Sequence, residues 1–237
     1  MSWEYIKFDK NEHVAKIIFN NPQKNNALNI LMRSEFSEVL NACSIDDEIK
    51  VVIITTNSEN FCSGADLSEF NTFPSIVESN LISKNNNLWK DLYNFEKPII
   101  CLTKGWVIGS GFEIIMLSDF VFSHTSSKFK MPEVELSLTP ISGGTQTFLN
   151  KTNVAIAKEI MLFSEEIDVY KAYNFGIINF YSDDYNLLIE QIRKFTENIK
   201  IIDLKRLKIV KKLLNMSTEE NLYLGKHLEQ YYSESLR

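Results

Sequence analysis

In the first half of this chain, short β-branched runs alternate with stretches of helical periodicity. The runs at 50–56 and 98–103 lack the polar alternation of a half-exposed strand. Such runs are typical of strands buried on both faces of a parallel sheet, and parallel strands need a crossover connection, usually a helix. The alternation therefore predicts parallel βαβ units and an α/β layer architecture.

Further elements follow from the same patterns. The runs at 14–19 and 120–122 are predicted strands, whereas the signal beyond residue 144 is almost wholly helical. The predicted helices cover residues 29–43, 76–95, 112–117, 145–163, 168–175, 184–200 and 203–215. The strands are thus expected in the N-terminal part, followed by a helical region.

Composition limits the function classes. The 237 residues suit one sizeable domain, and the net charge of −6 argues against a nucleic-acid partner or an anionic membrane surface. No apolar run approaches the length of a membrane span, and the start lacks a signal-peptide pattern, so a cytoplasmic protein is expected. Cys43, Cys62 and Cys101 have no CxxC spacing and are expected to be buried, reduced thiols.

The glycines indicate where a ligand could bind. Six of the eight lie between residues 64 and 144, in three groups. The groups at 61–67 and 105–113 follow buried strands, and the second places Ser110 between two glycines where a helix begins. Free N–H groups at such positions can hold an oxyanion, and the carboxyl ends of parallel strands converge on one crevice.

Two carboxylates are candidates for acid–base chemistry. Glu113 interrupts an otherwise apolar helix, which fits either a functional role or a first-turn glutamate favoured by the helix dipole. Glu133 follows Pro132, where a solvated loop carboxylate is the ordinary interpretation. His13, His124 and His227 are widely separated, so neither a metal site nor a Ser-His-Asp triad is expected. These patterns support an α/β enzyme with an anion-stabilising crevice.

A basic cluster lies on a predicted C-terminal helix. A solvated helix face is the favoured interpretation, and a docking surface for phosphates is the alternative. The cluster consists of Lys205, Arg206, Lys208, Lys211 and Lys212.

Several motifs together resemble the crotonase superfamily, the enoyl-CoA hydratase/isomerase family. The resemblance covers about residues 3 to 215, and the ordered set is far more specific than any one motif. The motifs are NPQKNNALN at 21–29, FCSGADL at 61–67, KPII at 97–100 followed by Gly105, GSGFE at 109–113, Phe129 with Pro132-Glu133, Pro140, and GGTQ at 143–146.

The resemblance implies a spiral of ββα units followed by a C-terminal helical region that builds homotrimers or dimers of trimers. The expected division is a spiral core at 1–200 and a trimerisation region at 201–237, shortened because the usual C-terminal tail motif is missing. The family usually has glycine at the positions of Ser137 and Ile141, a departure that could shift substrate preference.

The resemblance also implies a CoA thioester substrate with no separate cofactor. Its carbonyl would be held by the backbone N–H groups of Ser63 and Ser110, with Ser110 standing where the family usually has glycine. The residues matching the family's CoA-binding positions are Lys24, Asn26, Ala27, Leu28, Ser63, Ala65, Asp66 and Leu67.

Glu113 and Glu133 match the two catalytic glutamates of the hydratases. Glu113 would activate water for attack on C3, and Glu133 would exchange the proton at C2. Retention of both favours a hydratase, a lyase, over an enoyl-CoA isomerase, which commonly uses only the second. The remaining alternatives are a dehydratase or decarboxylase acting on polyketide intermediates carried by an acyl-carrier protein, and a non-catalytic acyl-CoA-binding protein.

Overall fold

The computed structural model describes residues 3–69, 88–140, 142–217 and 222–235. Most of the helix predicted at 76–95 lies outside these ranges, and its described end is helical over Leu88–Tyr93. Apart from the helix predicted at 145–163, the other predicted strands and helices lie close to their expected positions.

In the part of the chain that the structure describes, the main sheet has six strands in the order β1-β2-β3-β4-β6-β9. Only β1 runs antiparallel to its neighbour, and the remaining pairs are parallel. The strands are β1 (Ile6–Asn11), β2 (Val14–Phe19), β3 (Val51–Thr56), β4 (Ile99–Thr103), β6 (Phe120–His124) and β9 (Phe180–Ser182).

A second, smaller sheet carries part of the site. It contains β5 (Trp106–Ile108), β7 (Lys128–Lys130) and β8 (Ile167–Asp168), in the order β5-β7-β8. β5 and β7 are parallel, whereas β7 and β8 are antiparallel. This sheet places the end of β5 directly beside the end of β7.

Helices cover the sheets and form the C-terminal region. The described helices are α1 (Ile30–Ile45), α2 (Leu88–Tyr93), α3 (Ser110–Leu117), α4 (Gly144–Lys151), α5 (Val154–Leu162), α6 (Val169–Asn174), α7 (Tyr185–Lys200), α8 (Leu204–Met216) and α9 (Leu222–Ser235).

The predicted burial of the central strands on both faces is confirmed. On β3, Val52 and Ile54 belong to the larger core, which also contains α1 residues. Val51 and Ile53 point to the other face, where a smaller core includes Leu188 and Ile192 of α7. The sheet therefore lies between two layers of helix.

The segment after residue 144 is mainly helical, as predicted, but the prediction was wrong in detail. β8 and β9 are strands of two and three residues. The predicted helix at 145–163 is two helices, because the Asn153 side chain accepts a hydrogen bond from the Ile156 N–H and starts α5 afresh. β1, β5, β7 and α9 were also not predicted.

The prediction that the basic cluster is a solvated helix face is wrong for Lys211. It is buried, and its Nζ donates to the Lys97 carbonyl at 2.8 Å and to Asp119 Oδ2 at 2.7 Å. Asp119 in turn accepts from the Ile99 N–H at the start of β4. Lys211 therefore fastens α8 to the main sheet, while Lys205 and Arg206 are exposed.

Candidate active site

The two glycine-containing segments lie side by side, as the sequence predicted. Cys62 forms a parallel bridge with Val107, in which the Cys62 N–H donates to the Trp106 carbonyl and the Ile108 N–H donates to the Cys62 carbonyl. A Cβ atom on Gly111 would stand only 2.6 Å from the Cys62 Cβ. Glycine at 111 is therefore required for the start of α3 to approach the first segment.

The Ser110 N–H is available for a ligand. The Glu113 N–H donates to the Gly109 carbonyl, so Ser110 precedes the hydrogen-bond ladder of α3. Among the described residues, the Ser110 N–H has no hydrogen-bond partner. Gly109 has φ of +50°, and its own N–H donates to the Lys130 carbonyl at 2.9 Å. This left-handed residue turns the chain from β5 into α3.

The Ser63 N–H, which was predicted to hold the thioester oxygen, already has a hydrogen-bond partner in the structure. It donates to the Asn25 carbonyl at 3.1 Å, and this hydrogen bond occupies the donor that was expected to hold the thioester oxygen. The Ser63 hydroxyl also bonds to a backbone carbonyl, that of Lys24. Ser63 thus holds two loops together in this geometry.

Ala65 carries the free donor in this segment. It forms a parallel bridge with Leu28 in which the Gly64 carbonyl and the Asp66 N–H make the two bonds. In such a bridge the central residue directs its own N–H away from the partner strand. Within the described ranges the Ala65 N–H has no partner, and Ala65 is half-buried. Sequence reasoning missed this donor because the bridge is a tertiary contact.

Glu113 is a buried carboxylate held by the start of another helix. Its side chain lies in the first turn of α3 and the residue is only 2% exposed. Its Oε1 accepts a hydrogen bond from the Gly144 N–H at 3.0 Å, at the first residue of α4. A Cβ atom on Gly144 would lie 2.8 Å from this oxygen, so a larger residue there would require the Glu113 carboxylate to shift.

Glu133 enters the same region from the loop after β7. Its buried Oε2 has no hydrogen-bond partner within the described residues. A Cβ atom on Gly109 would stand 2.7 Å from the Glu133 Oε1, which places this carboxylate directly beside the residue before Ser110. The ordinary expectation of a solvated loop carboxylate is therefore wrong for Glu133.

Both carboxyl groups have raised pKa values. Burial raises the pKa of Glu113; the Gly144 hydrogen bond opposes this shift, and the charge of Glu133 adds to it. Burial likewise raises the pKa of Glu133. Each glutamate therefore holds a proton more readily than a solvated one, as a group that exchanges protons with substrate near neutral pH requires.

The residues predicted to bind CoA fall into two groups. Lys24 and Leu67 are exposed, and Lys24 Nζ pairs with Asp66 Oδ2 at 2.7 Å. Asn26 and Leu28 are fully buried, so their side chains cannot contact a ligand at the surface. Asn26 donates to Thr56 Oγ1 and to the carbonyls of residues 60 and 61.

Two more members of the CoA-binding set, Ala27 and Asp66, are also largely enclosed, whereas Ser63 and Ala65 are half-buried. Ala27 is 8% exposed, and Asp66 is 7% exposed with its carboxylate bonded to Lys24 and Ser68. A surface cavity of about 320 Å³ lies beside Lys24, and its lining includes neither Glu113 nor Glu133. It is lined by Glu4, Tyr5, Asn20, Asn21, Pro22, Gln23, Lys24 and Asn29.

The three cysteines are free and buried, as predicted. Burial raises the pKa of the Cys62 and Cys101 thiols to about 12 and that of Cys43 to about 11, which keeps them in the unreactive thiol form. In the part of the chain that the structure describes, no three His, Cys, Asp or Glu side chains group as metal ligands. None of the described helices is long and apolar enough to cross a membrane.

The fold and this site define an α/β enzyme whose paired glutamates and free N–H groups suit acid–base chemistry on a carbonyl compound. The model of the enoyl-CoA hydratase/isomerase family matches residues 9–236. The chain belongs to this family, and it is an enoyl-CoA hydratase-like enzyme with the crotonase fold.

Individual relatives agree with this assignment. The short-chain-enoyl-CoA hydratase of Clostridium acetobutylicum is 31% identical over 180 residues, covering 76% of this chain and 69% of that protein. The mitochondrial enoyl-CoA hydratase of Pongo abelii is 28% identical, covering 98% of this chain and 81% of that protein.

Solved structures agree in fold. The crystal structure of an enoyl-CoA hydratase from Bacillus anthracis has a TM-score of 0.90 and 25% identity, covering 98% of this chain and 90% of that one. A Thermobifida fusca structure in complex with acetoacetyl-CoA has a TM-score of 0.86 at 19% identity, covering 98% of this chain and 94% of that one.

Proposed function

We propose that this chain adds water to a 2-enoyl-CoA thioester, with Glu113 and Glu133 as its catalytic residues. The observation that carries the proposal is the meeting of two desolvated carboxylates from different elements, one of them with a buried oxygen that lacks a partner in the described residues. A buried, unpartnered carboxylate oxygen is costly, which supports a functional role for it.

The proposed reaction uses one glutamate at each carbon. Glu113, ionised, takes a proton from water while the water oxygen bonds to C3 of the substrate. The C2=C3 π electrons move toward the thioester carbonyl and form an enolate. Glu133, protonated, then gives its proton to C2 and restores the carbonyl. The raised pKa of Glu133 supports the second step because it keeps the proton available at higher pH.

The enolate oxygen would be held by two backbone N–H groups. Ser110 retains its proposed role, and Ala65 replaces Ser63 because the Ser63 N–H already donates to Asn25. Each such donor contributes roughly 3 to 4 kcal/mol in known oxyanion holes. Both N–H groups belong to the adjoining segments that the Cys62–Val107 bridge aligns.

We further propose that the CoA moiety binds along the exposed side of these loops. Lys24 and Leu67 are accessible there, as are parts of Ser63 and Ala65. The enclosed residues Asn26, Ala27, Leu28 and Asp66 would support the loops, with only main-chain groups left to meet the ligand. The acetoacetyl-CoA complex of the similar Thermobifida fusca structure supports a CoA ester as the ligand class.

From the family relationship, we also propose that the protein is a cytoplasmic enzyme of fatty acid metabolism. It would require no cofactor beyond its CoA substrate. Residues 1–200 form the spiral core, and residues 201–237 form a helical region that builds a homotrimer or dimer of trimers. Isomerisation of a 3-enoyl-CoA is the second candidate, in which Glu133 alone would move the proton.

The test is hydration of crotonyl-CoA, measured as loss of the ultraviolet absorbance of the enoyl thioester. Wild type should consume the signal, whereas Glu133→Gln should be at least about 100-fold slower while still binding a CoA ester. Glu113→Gln should be equally severe for a hydratase and mild for an isomerase. A Glu133→Gln variant with the wild-type rate would contradict the proposal.

A further inference from the structure

The loop that carries Glu133 is held mainly by itself. Its Glu133 carbonyl accepts from the Leu136 and Leu138 N–H groups, and the Ser137 N–H donates to the Val134 carbonyl. Val134 and Leu136 are exposed. Among the described residues, none of the backbone hydrogen bonds of residues 132–138 reaches another element. These bonds shape the turn without fixing its position relative to the sheets.

One ion pair joins this loop to the smaller sheet. Lys130, the last residue of β7, places its Nζ 2.7 Å from Glu135 Oε2. Glu135 lies two residues after Glu133, inside the turn that the local hydrogen bonds define. The pair therefore spans Glu133 from the strand before it to the loop after it.

Lys130 also contacts the segment that leads to Ser110. It is the pairing partner of Ile108 across β5 and β7, and its carbonyl accepts the Gly109 N–H at 2.9 Å. Its main chain thus fixes the segment before the Ser110 donor, while its side chain holds the loop of the Glu133 acid. No other residue in the described ranges makes polar contacts to both.

We propose that the Lys130–Glu135 ion pair is a positioning clamp that sets the place of the Glu133 carboxylate relative to the Ser110 N–H. This inference rests on the proposed function for its catalytic consequence, since Glu133 is the proton donor there. The pair touches no substrate atom in this proposal. It acts by limiting the positions of a loop whose other polar contacts within the described ranges are internal.

The test compares turnover in matched variants. Lys130→Met and Glu135→Gln should each lower kcat for crotonyl-CoA by about two- to fivefold, the range expected for a partly exposed pair, with KM changed less than twofold. The charge-swapped double variant Lys130→Glu with Glu135→Lys should recover most of the loss. Lys194→Met is the control, because Lys194 forms a similar exposed pair with Glu190 at 2.8 Å on α7.

A second measurement separates the clamp from the proposed function. Hydrogen–deuterium exchange of the peptide covering 131–140 should be about two- to fivefold faster in both single variants and restored in the swap. If wild type does not hydrate crotonyl-CoA, the proposed function fails while this exchange result still decides the clamp. Unchanged exchange, or a swap no better than the single variants in exchange or in kcat, would overturn the clamp.

Discussion

At the scale of single residues, two glycines make room for the two glutamates. Gly109 has a positive φ, and a Cβ atom added there would stand 2.7 Å from Glu133 Oε1. We expect Gly109→Ala to displace this carboxylate and to lower the hydration rate about 100-fold, because misplacing a reacting group by about 1 Å can cost that much. The measurement is crotonyl-CoA hydration by variant protein whose circular dichroism matches wild type.

Gly225 provides the matched control. It lies in α9, and a Cβ atom there would meet nothing within 4 Å. Gly225→Ala should leave hydration unchanged and stabilise the helix by up to about 1 kcal/mol, since alanine is the better helix former. If both alanine variants lost activity to the same degree, crowding of Glu133 would not be the cause in Gly109→Ala.

Because the pKa of Glu113 is raised, we expect that replacing this glutamate increases the stability of the protein in a pH-dependent way. An unfolded glutamate ionises near pH 4.5, but the native group does so at higher pH because it is buried. Native stability therefore falls as pH rises from about 4.5 through the native pKa of Glu113. Above that pKa the full loss of stability is reached. Glu113→Gln should stabilise the protein by about 1 kcal/mol at pH 8 and by nothing at pH 4.

Urea unfolding at the two pH values measures this difference. The glutamine can still accept the Gly144 hydrogen bond through its side-chain oxygen, so the cavity remains filled. A Glu113→Gln variant that was less stable than wild type at pH 8 would show that the ionised carboxylate is well solvated or well paired.

At the scale of elements, Lys211 determines how α8 packs on the main sheet. Its ammonium satisfies Asp119 and the Lys97 carbonyl, both beside the start of β4. Lys211→Met should cost about 3 kcal/mol of unfolding free energy, because it leaves a partly buried charge and a carbonyl without their partner. Lys205→Ala, an exposed change on the same helix, should cost less than about 0.5 kcal/mol in the same denaturation experiment.

The elements also show what sequence patterns can reveal. β3 and β4 were predictable because β-rich runs without polar alternation indicate burial on both faces, and Glu113 was conspicuous in an apolar helix. β5, β7 and β8 have two or three residues each, too few for periodicity, and owe their strand geometry to their partners. The replacement of Ser63 by Ala65 as the free donor, and the burial of Asn26, likewise depend on contacts with distant segments.

At the scale of the whole molecule, the two C-terminal helices expose several large apolar side chains. Leu214 and Val210 on α8, and Leu222 and Tyr223 on α9, are more than half exposed. Exposed apolar side chains that together form a large patch mark interaction sites. The exposure agrees with the proposed trimerisation role of residues 201–237, in which copies of this chain would cover these side chains.

This proposed association predicts that a double substitution on α8 lowers the molar mass of the protein in solution. Wild type should have the molar mass of a trimer or hexamer by light scattering, whereas Val210→Arg with Leu214→Arg should shift the protein toward the monomer, because two buried charges would face an apolar interface. Ile45→Arg, at a still more exposed apolar position at the end of α1, should keep the wild-type mass. A monomeric wild type would show that the chain does not associate. An unchanged mass in the double variant would place the interface elsewhere, since only an interface formed by α8 makes the mass depend on these two side chains.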